Sequence, residues 1–141
     1  TNPEMAFRGH MALLINADTG SNGEFFSEAV KFHKMARVFG MRTWGGSVGI
    51  EPHQDLVDGG AVTPPQFGLY GANGQWLIEG HGVDPDVRVE NMPADVLKGK
   101  DPQLEAAVSY LLNRLKADPM AAPAHPPYPD KARPRGSDQT K

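Results

Sequence analysis

The sequence predicts a single domain of the α/β class, and two observations support this prediction. Short apolar runs of the length of buried strands occur between glycine-rich turns, and two longer segments carry apolar residues at helical spacing. The chain has 141 residues, and a domain of this size buries about two thirds of its unfolded surface. One hydrophobic core is therefore expected.

The first strand and helix are predicted close to the amino terminus. Residues 10–16 form a short apolar run typical of a buried strand. Residues 24–39 predict a helix of about four turns. Its apolar positions are Phe25, Ala29, Phe32, Ala36 and Phe39. Gly40 suits the cap that ends this helix, and residues 41–44 then predict the next strand.

Loops and short strands follow, before a second helix. Residues 45–60 are rich in glycine and predict a loop. Residues 66–70 and 75–79 predict two strands joined by a hairpin turn, and residues 87–90 predict another short strand. Asp101 and Pro102 are a typical helix start, with Asp as the N-cap and Pro at the first helical position. The apolar stripe of this helix is Leu104, Val108, Leu111, Leu112 and Leu115.

Composition excludes several classes of partner and site. The formal net charge of −3 provides no basic surface for nucleic acid. The longest apolar run is far shorter than the roughly 20 residues of a membrane-spanning helix, so no membrane association is expected. The chain has no cysteine, which excludes disulfides, a thiolate nucleophile and cysteine-based zinc sites. We expect a cytoplasmic protein.

The turn between the first strand and the first helix carries the chemistry. Residues 16–26 read NADTGSNGEFF and place Ser21 at the helix amino terminus, where free backbone N–H groups attract negative charge. A serine there can attack a carbonyl carbon while the N–H of Asn22 binds the developing oxyanion. The alternative is that Ser21 or Asn22 only caps the helix, with Glu24 in its first turn. The turn lacks the Gly-x-Ser-x-Gly motif of α/β hydrolases.

Five stretches of residues 10–117 together resemble a known peptidase family. They read NADTGSNGE, GMRTWGGSVGI, LVDGGAVTPPQFGLY, WLIEGHGVDPDVRVEN and GKDPQLEAAVSYLL. In this order they resemble the C-terminal catalytic domain of tricorn protease and related tail-processing serine peptidases. The resemblance implies a crotonase/ClpP-like fold, a ββα superhelix of the α/β class. It implies a catalytic subdomain at residues 1–117, and the proline-rich residues 118–141 are expected to be an extended tail.

The resemblance also assigns roles to individual residues. Ser21 matches the nucleophile, and Asn22 stands where the family commonly has Asp and would supply an oxyanion-hole N–H. Glu79 matches the glutamate that supports the catalytic histidine through a second serine. Gly46 occupies the place of the lysine in the Ser-Lys branch of the superfamily. Glycine cannot act as a base, so the resemblance points to the histidine-dependent branch, whose histidine lies in a preceding domain.

Other candidate residues are given structural roles. His81 is two residues from Glu79 and would share its face on a continuous strand, but a solvated loop histidine is the preferred interpretation. Asp84 and Asp86 predict a turn, since no histidine pair completes a metal site. Trp44 and Trp76, like the phenylalanines of the first helix, are assigned to packing. No metal or organic cofactor is implied.

The sequence therefore predicts a serine peptidase that cleaves peptide substrates by acyl transfer. The start at Thr-Asn-Pro suggests a piece of a longer chain, and the upstream domains of that chain and further copies in a homo-oligomer are the expected partners. The alternative is a non-catalytic module that binds peptides or assembles oligomers. In that interpretation, Asn22 in place of the family's Asp indicates that the residue next to Ser21 is no longer constrained by catalysis.

Overall fold

The fold is described by a computed structural model for residues 7, 9–51, 54–121, 124, 127 and 128. In chain order the elements are β1 (Ala12–Ile15), α1 (Asn22–Phe32), β2 (Arg37–Gly40), β3 (Gly49–Ile50), β4 (Gln54–Asp55), β5 (Ala61–Val62), β6 (Pro65–Phe67), β7 (Val87–Arg88), α2 (Pro93–Val96) and α3 (Pro102–Ala117). This mixture of helices and strands confirms the predicted α/β class. Most of the predicted tail lies outside the described residues.

A small parallel sheet positions the candidate site. Its strand order is β1-β2-β7, with Leu13 beside Val38 and Phe39 beside Val87. The crossover from β1 to β2 is made by α1. The carboxyl ends of parallel strands lie at one edge of a sheet, where ligands commonly bind in α/β proteins. The turn after β1 and the loop after β2 therefore meet at this edge.

The core lies between the sheet and its helices. Ile15, Val30 and Val38 form the buried cluster, and Leu13 and Ala36 pack against it. Full burial of side chains of this kind stabilises a fold by about 1.5–3 kcal/mol each. Helix α3 also packs against β1 and β2, with Ala107 buried and the rings of Phe39 and Tyr110 5.4 Å apart.

The first helix is shorter than predicted, and the strand after it begins earlier. Lys34 has φ 53°, its N–H donates to the Lys31 carbonyl, and the Met35 N–H donates to the Val30 carbonyl. This is a Schellman motif, which ends a helix with a left-handed residue that is usually glycine. The prediction of a helix over residues 24–39 and a strand over 41–44 is therefore wrong, and Gly40 ends β2 instead of capping a helix.

Gly40 is required where it lies. Its φ is 123°, and a Cβ at this position would lie 1.9 Å from the Ile15 carbonyl oxygen. The same oxygen accepts the Met41 N–H at 3.0 Å. Glycine therefore allows the end of β2 to approach the end of β1 closely, next to the turn that leads to Ser21.

The second long helix begins as predicted, but its apolar stripe is not core. The Asp101 carboxylate accepts the Leu104 N–H at 3.0 Å and Pro102 is the first residue of α3. Four of the five stripe residues are exposed, and Leu111 is half-buried. The exposed four are Leu104, Val108, Leu112 and Leu115. The stripe therefore contributes little to the core, and the helix packs against the sheet through Ala107 and Tyr110.

The middle of the chain contains less regular strand than predicted. Strand β6 pairs with β3, and β4 pairs with β5. The predicted pairing of residues 66–70 with 75–79 is reduced to one bridge between Tyr70 and Trp76. The turn between them is confirmed, since the Gly71 N–H donates to the Gln75 carbonyl at 2.9 Å. The predicted strand at 87–90 is confirmed as β7.

None of the helices among the described residues has the length and apolar character needed to cross a membrane.

Candidate active site

Ser21 lies in a turn that the side chain of Asn16 organises. Asn16 follows β1 directly, and its Oδ1 accepts the N–H groups of Asp18 and Thr19 at 3.1 and 3.0 Å. The Thr19 hydroxyl donates to the same oxygen at 3.1 Å. An Asn side chain that binds backbone two or three residues ahead replaces a backbone turn. This local network turns the chain from β1 towards α1 within the six residues 16–21.

The backbone of Ser21 is strained. Its φ is 49° and its ψ is −118°, close to the first central position of a type II′ turn, which glycine normally occupies. A residue other than glycine in such a conformation costs about 1–3 kcal/mol, and such residues cluster at functional sites. Strained serines at a strand-to-helix turn are also found in the nucleophile elbow of α/β hydrolases. The turn thus reproduces that geometry without the full motif.

Gly23 allows the sharp turn. A Cβ at Gly23 would lie 3.0 Å from Cγ2 of Thr19, so the residues two before and two after Ser21 approach each other closely. The second glycine of the Gly-x-Ser-x-Gly motif has this position relative to its serine. The first does not, since Gly20 directly precedes Ser21.

Asn22 presents a free N–H beside the serine. It is the first residue of α1, and its N–H has no hydrogen-bond acceptor among the described residues. A helix amino terminus carries partial positive charge and favours anions. The backbone of Asn22 can therefore donate to a negative oxygen that forms next to Ser21, whatever side chain the residue carries.

Glu24 is a buried carboxylate that sequence reasoning assigned only to the first helical turn. It is fully buried, with 0% of its surface exposed, and it accepts the Ser21 N–H at 3.0 Å. It also accepts the Thr43 hydroxyl at 2.6 Å, the Gly45 N–H at 2.6 Å and the Gly46 N–H at 3.0 Å. The Ser-x-x-Glu spacing of a capping box signals the first of these bonds. The other three depend on a loop distant in sequence.

The loop of residues 43–48 lies against the serine turn. The Trp44 N–H donates to the Thr19 carbonyl at 3.0 Å. The indole of Trp44 lies beside Gly20 and Gly46, since a Cβ on either glycine would be 3.0 Å or less from the ring. The ring is 70% exposed, and Trp76 and Phe32 are exposed too. None of these three side chains is therefore part of the core, and the predicted core role of Phe32 is wrong.

Glu79 accepts hydrogen bonds from the other end of this loop. Its Oε2 accepts the N–H groups of Ser47 and Val48 at 2.7 Å each, and the Ser47 hydroxyl lies 3.3 Å away. The Ser47 N–H, followed by the Val48 N–H, lowers the pKa of Glu79 below its ordinary value because these donors favour the ionised form. Its Oε1 accepts no hydrogen bond from the part of the chain that the structure describes.

The backbone around Glu79 is tightly folded. Ile78 has φ 69°, and the Glu79 N–H donates to the Leu77 carbonyl at 2.7 Å, which is a strained γ-turn. The Gly80 N–H donates to the Gly45 carbonyl at 2.9 Å. A Cβ on Gly82, which has φ 92°, would lie 2.4 Å from the Thr43 carbonyl oxygen. Residues 78–82 are therefore a turn against the loop, and the continuous strand considered for His81 does not form.

None of the described histidines forms a hydrogen bond with the serine turn. His81 is exposed, and its Nε2 lies 2.7 Å from the Asp84 carboxylate; this confirms the solvated loop histidine. The Arg42 guanidinium donates to the His81 carbonyl. His10 bonds the Asp118 carbonyl, and His33 caps α1. His53 and His125 lie outside the described residues. Across the described ranges, no group of His, Cys, Asp or Glu side chains could hold a metal ion.

Ser21 and Glu79 are connected through Glu24 and the loop of residues 43–48. Glu24 accepts the N–H groups of Ser21, Gly45 and Gly46, and Glu79 accepts that of the adjacent Ser47. No direct hydrogen bond joins Ser21 to Glu79 among the described residues. The loop of residues 43–48 thus lies between the strained Ser21 and the carboxylate of Glu79.

Comparison with known proteins agrees with this geometry. The chain is 40% identical over 114 residues to tricorn protease of Thermoplasma acidophilum, a match that covers 81% of this chain and 11% of the relative. It is 39% identical over 121 residues to tricorn protease homolog 1 of Streptomyces coelicolor, covering 86% and 11%. The crystal structure of the tricorn protease superposes with a TM-score of 0.72 at 37% identity, covering 82% of this chain and 12% of that one.

The chain thus spans about a ninth of the length of these relatives. The profile of peptidase family S41 matches residues 1–89, which contain the serine turn, the loop of residues 43–48 and Glu79. The family match and the two relatives lead to the same conclusion: this chain belongs to peptidase family S41.

Proposed function

We propose that this chain is the nucleophile-bearing part of a serine peptidase that cleaves peptide bonds by acyl transfer. The observation that carries the proposal is the strained backbone of Ser21 beside the N–H of Asn22, which has no acceptor among the described residues. A serine that only caps a helix has no need of a conformation that glycine normally occupies. Membership of peptidase family S41 and the similarity to tricorn proteases favour a peptidase over a non-catalytic module.

In the proposed reaction the Ser21 hydroxyl attacks the scissile carbonyl carbon. Its proton passes to a base, and the carbonyl oxygen becomes an oxyanion that accepts the Asn22 N–H. Removal of one oxyanion-hole donor in serine peptidases costs about a hundred- to a thousandfold in kcat. Because the donor here is backbone, the replacement of the family's Asp by Asn22 leaves it intact.

We assign Glu79 the role of supporting the base. Its Oε2 is held by the loop of residues 43–48, while its Oε1 accepts nothing from the described residues, so one oxygen remains for a further partner. The lowered pKa keeps the carboxylate ionised at neutral pH. An ionised carboxylate of this kind orients a catalytic histidine and stabilises its protonated form.

The histidine base is proposed to come from a preceding domain of the same polypeptide. The resemblance to the histidine-dependent branch supports this assignment, as does glycine at position 46 in the place of a lysine. Residues 1–141 alone are then expected neither to cleave peptides nor to react at Ser21, because a serine without a base stays protonated. Turnover by the isolated chain would contradict this, and His81→Ala would be the first variant to test.

We further propose a crotonase/ClpP-like superhelix, a catalytic subdomain at residues 1–117 with a tail at 118–141, assembly into a homo-oligomer, and a cytoplasmic location. The match to the tricorn protease structure supports the fold assignment, since it covers 82% of this chain.

Peptidase assays of the natural full-length protein test the proposed function. Ser21→Ala should abolish turnover of peptide reporters, since loss of the nucleophile in comparable triads costs roughly six powers of ten in kcat. The matched control is Ser109→Ala, an exposed serine of α3, which should keep full activity. Activity of Ser21→Ala equal to that of the control would remove Ser21 from the mechanism.

A further inference from the structure

We propose that Glu24 is a positioning residue of this site, whose carboxylate holds Ser21 in its strained conformation and fixes it to the loop of residues 43–48. The inference rests on the proposed function, because it concerns the reactivity of Ser21. It goes beyond that function by assigning a role to a carboxylate that touches no reacting atom.

The carboxylate of Glu24 uses both of its oxygens for this purpose. Oε2 accepts the N–H groups of Ser21 and Gly46, each at 3.0 Å. Oε1 accepts the Thr43 hydroxyl and the Gly45 N–H, each at 2.6 Å. One donor belongs to the serine turn and three belong to the loop. The side chain therefore joins two segments that the chain brings together only through its tertiary fold.

A capping role alone does not account for this arrangement. A capping box needs one bond from the Glu side chain to the N-cap N–H, and glutamates are almost never fully buried unless they are paired. Glu24 is instead fully buried, where a carboxylate is unfavourable unless hydrogen bonds replace its water. Four donors replace that water here. All four donors bind the same carboxylate, so a substitution of Glu24 affects the serine turn and the loop of residues 43–48 together.

The Thr43 hydroxyl extends the connection. It donates to Glu24 at 2.6 Å and accepts the Val83 N–H at 2.7 Å. Val83 follows the turn that carries Glu79, whose own carboxylate bonds Ser47 and Val48. Glu24 is therefore hydrogen-bonded directly to the serine turn and the loop, and through the Thr43 hydroxyl it is connected to the segment that follows the Glu79 turn.

The direct test is Glu24→Gln in the natural full-length protein. The amide places an NH2 group against N–H donors in either orientation, so at least one segment loses its acceptor. The second-order rate of fluorophosphonate labelling at Ser21, per folded molecule, should fall roughly ten- to a hundredfold, because small displacements of a nucleophile have effects of this size. Hydrogen exchange in peptides covering residues 43–47 should rise in the same variant.

The control is Glu28→Gln, a half-buried residue one turn further along α1, which should label at the wild-type rate. Labelling of Glu24→Gln at the wild-type rate would overturn the inference while the proposed function stands. Absence of labelling at Ser21 in the wild-type protein would instead overturn the proposed function.

If Glu24→Gln does not fold, Thr43 supplies the test. Thr43→Ser keeps the hydroxyl that donates to Glu24, and Thr43→Val removes it with little change in volume. We expect normal labelling in the first and a slower rate, by about tenfold, in the second. Equal labelling rates in the two folded variants would overturn the inference.

Discussion

The carboxylates of Glu24 and Glu79 hold two consecutive parts of the same loop. Glu24 accepts the N–H groups of Gly45 and Gly46, and Glu79 accepts those of Ser47 and Val48. Four successive backbone donors thus point to two acidic side chains, one on the serine helix and one on the turn after residue 77. The loop sets the separation between the proposed nucleophile and the carboxylate proposed to support its base.

Ser21→Gly should stabilise the protein while abolishing its activity. Glycine adopts φ 49° without strain, and relief of that strain exceeds the entropy that glycine adds to the unfolded state. We expect the free energy of unfolding to rise by about 1 kcal/mol, measured by urea denaturation. Ser21→Ala keeps the Cβ and the strain, so its stability should stay within about 0.5 kcal/mol of wild type. A less stable Ser21→Gly would show that the backbone is not strained.

Glu79→Gln should reduce turnover without abolishing it. An orienting carboxylate contributes less than the nucleophile, so kcat should fall by about a hundred- to ten-thousandfold and leave residual labelling at Ser21. The measurement is kcat for a peptide reporter in the natural full-length protein, with Glu90→Gln, a residue that follows β7, as control. Wild-type kcat in Glu79→Gln would refute the assignment.

The stabilising effect of Glu79 should depend on pH. The N–H groups of Ser47 and Val48 lower the pKa of Glu79 in the folded protein. A group with a lowered folded pKa stabilises the fold above its unfolded pKa of about 4.3, and the effect is lost as pH falls through the folded value. The wild type should therefore be more stable than Glu79→Gln near neutral pH, and the difference should diminish as the pH falls below the unfolded pKa of about 4.3. Denaturation from pH 3 to 7 measures this difference. A difference that is constant with pH would contradict the hydrogen-bonded arrangement.

Two glycines near Glu79 should differ sharply in their tolerance of alanine. Gly80 and Gly82 both have positive φ, but a Cβ on Gly80 meets nothing within 4 Å, whereas one on Gly82 would lie 2.4 Å from the Thr43 carbonyl oxygen. Gly80→Ala should cost about 1 kcal/mol from backbone strain. Gly82→Ala should cost at least about 2 kcal/mol more, because the loop must move. Equal losses in thermal denaturation would show that residues 43 and 82 are not packed together.

The serine turn could be predicted from the sequence because its signals are local. Asn16, the glycines and Ser21 lie within eight residues, and a strand followed by a helix places them at one edge of the sheet. The cap of α3 at Asp101 was predictable for the same reason. Glu79 was found only through its resemblance to a family motif, since no local pattern marks it.

The errors arise where tertiary contacts outweigh local patterns. The end of α1 was missed because Lys34, and not glycine, takes the left-handed position, and because Ala36 and Phe39 continue the helical spacing by chance. The hydrogen bonds of Glu24 could not be predicted, because three of its four partners are 19 to 22 residues away.

The most direct test of the central claim is the site of covalent labelling. The natural full-length protein is treated with a fluorophosphonate and the adduct is located by peptide mass spectrometry. We expect one adduct, on Ser21, that disappears in Ser21→Ala and persists in Ser109→Ala. An adduct on another serine, or a folded protein that cleaves peptides without reacting at Ser21, would contradict it.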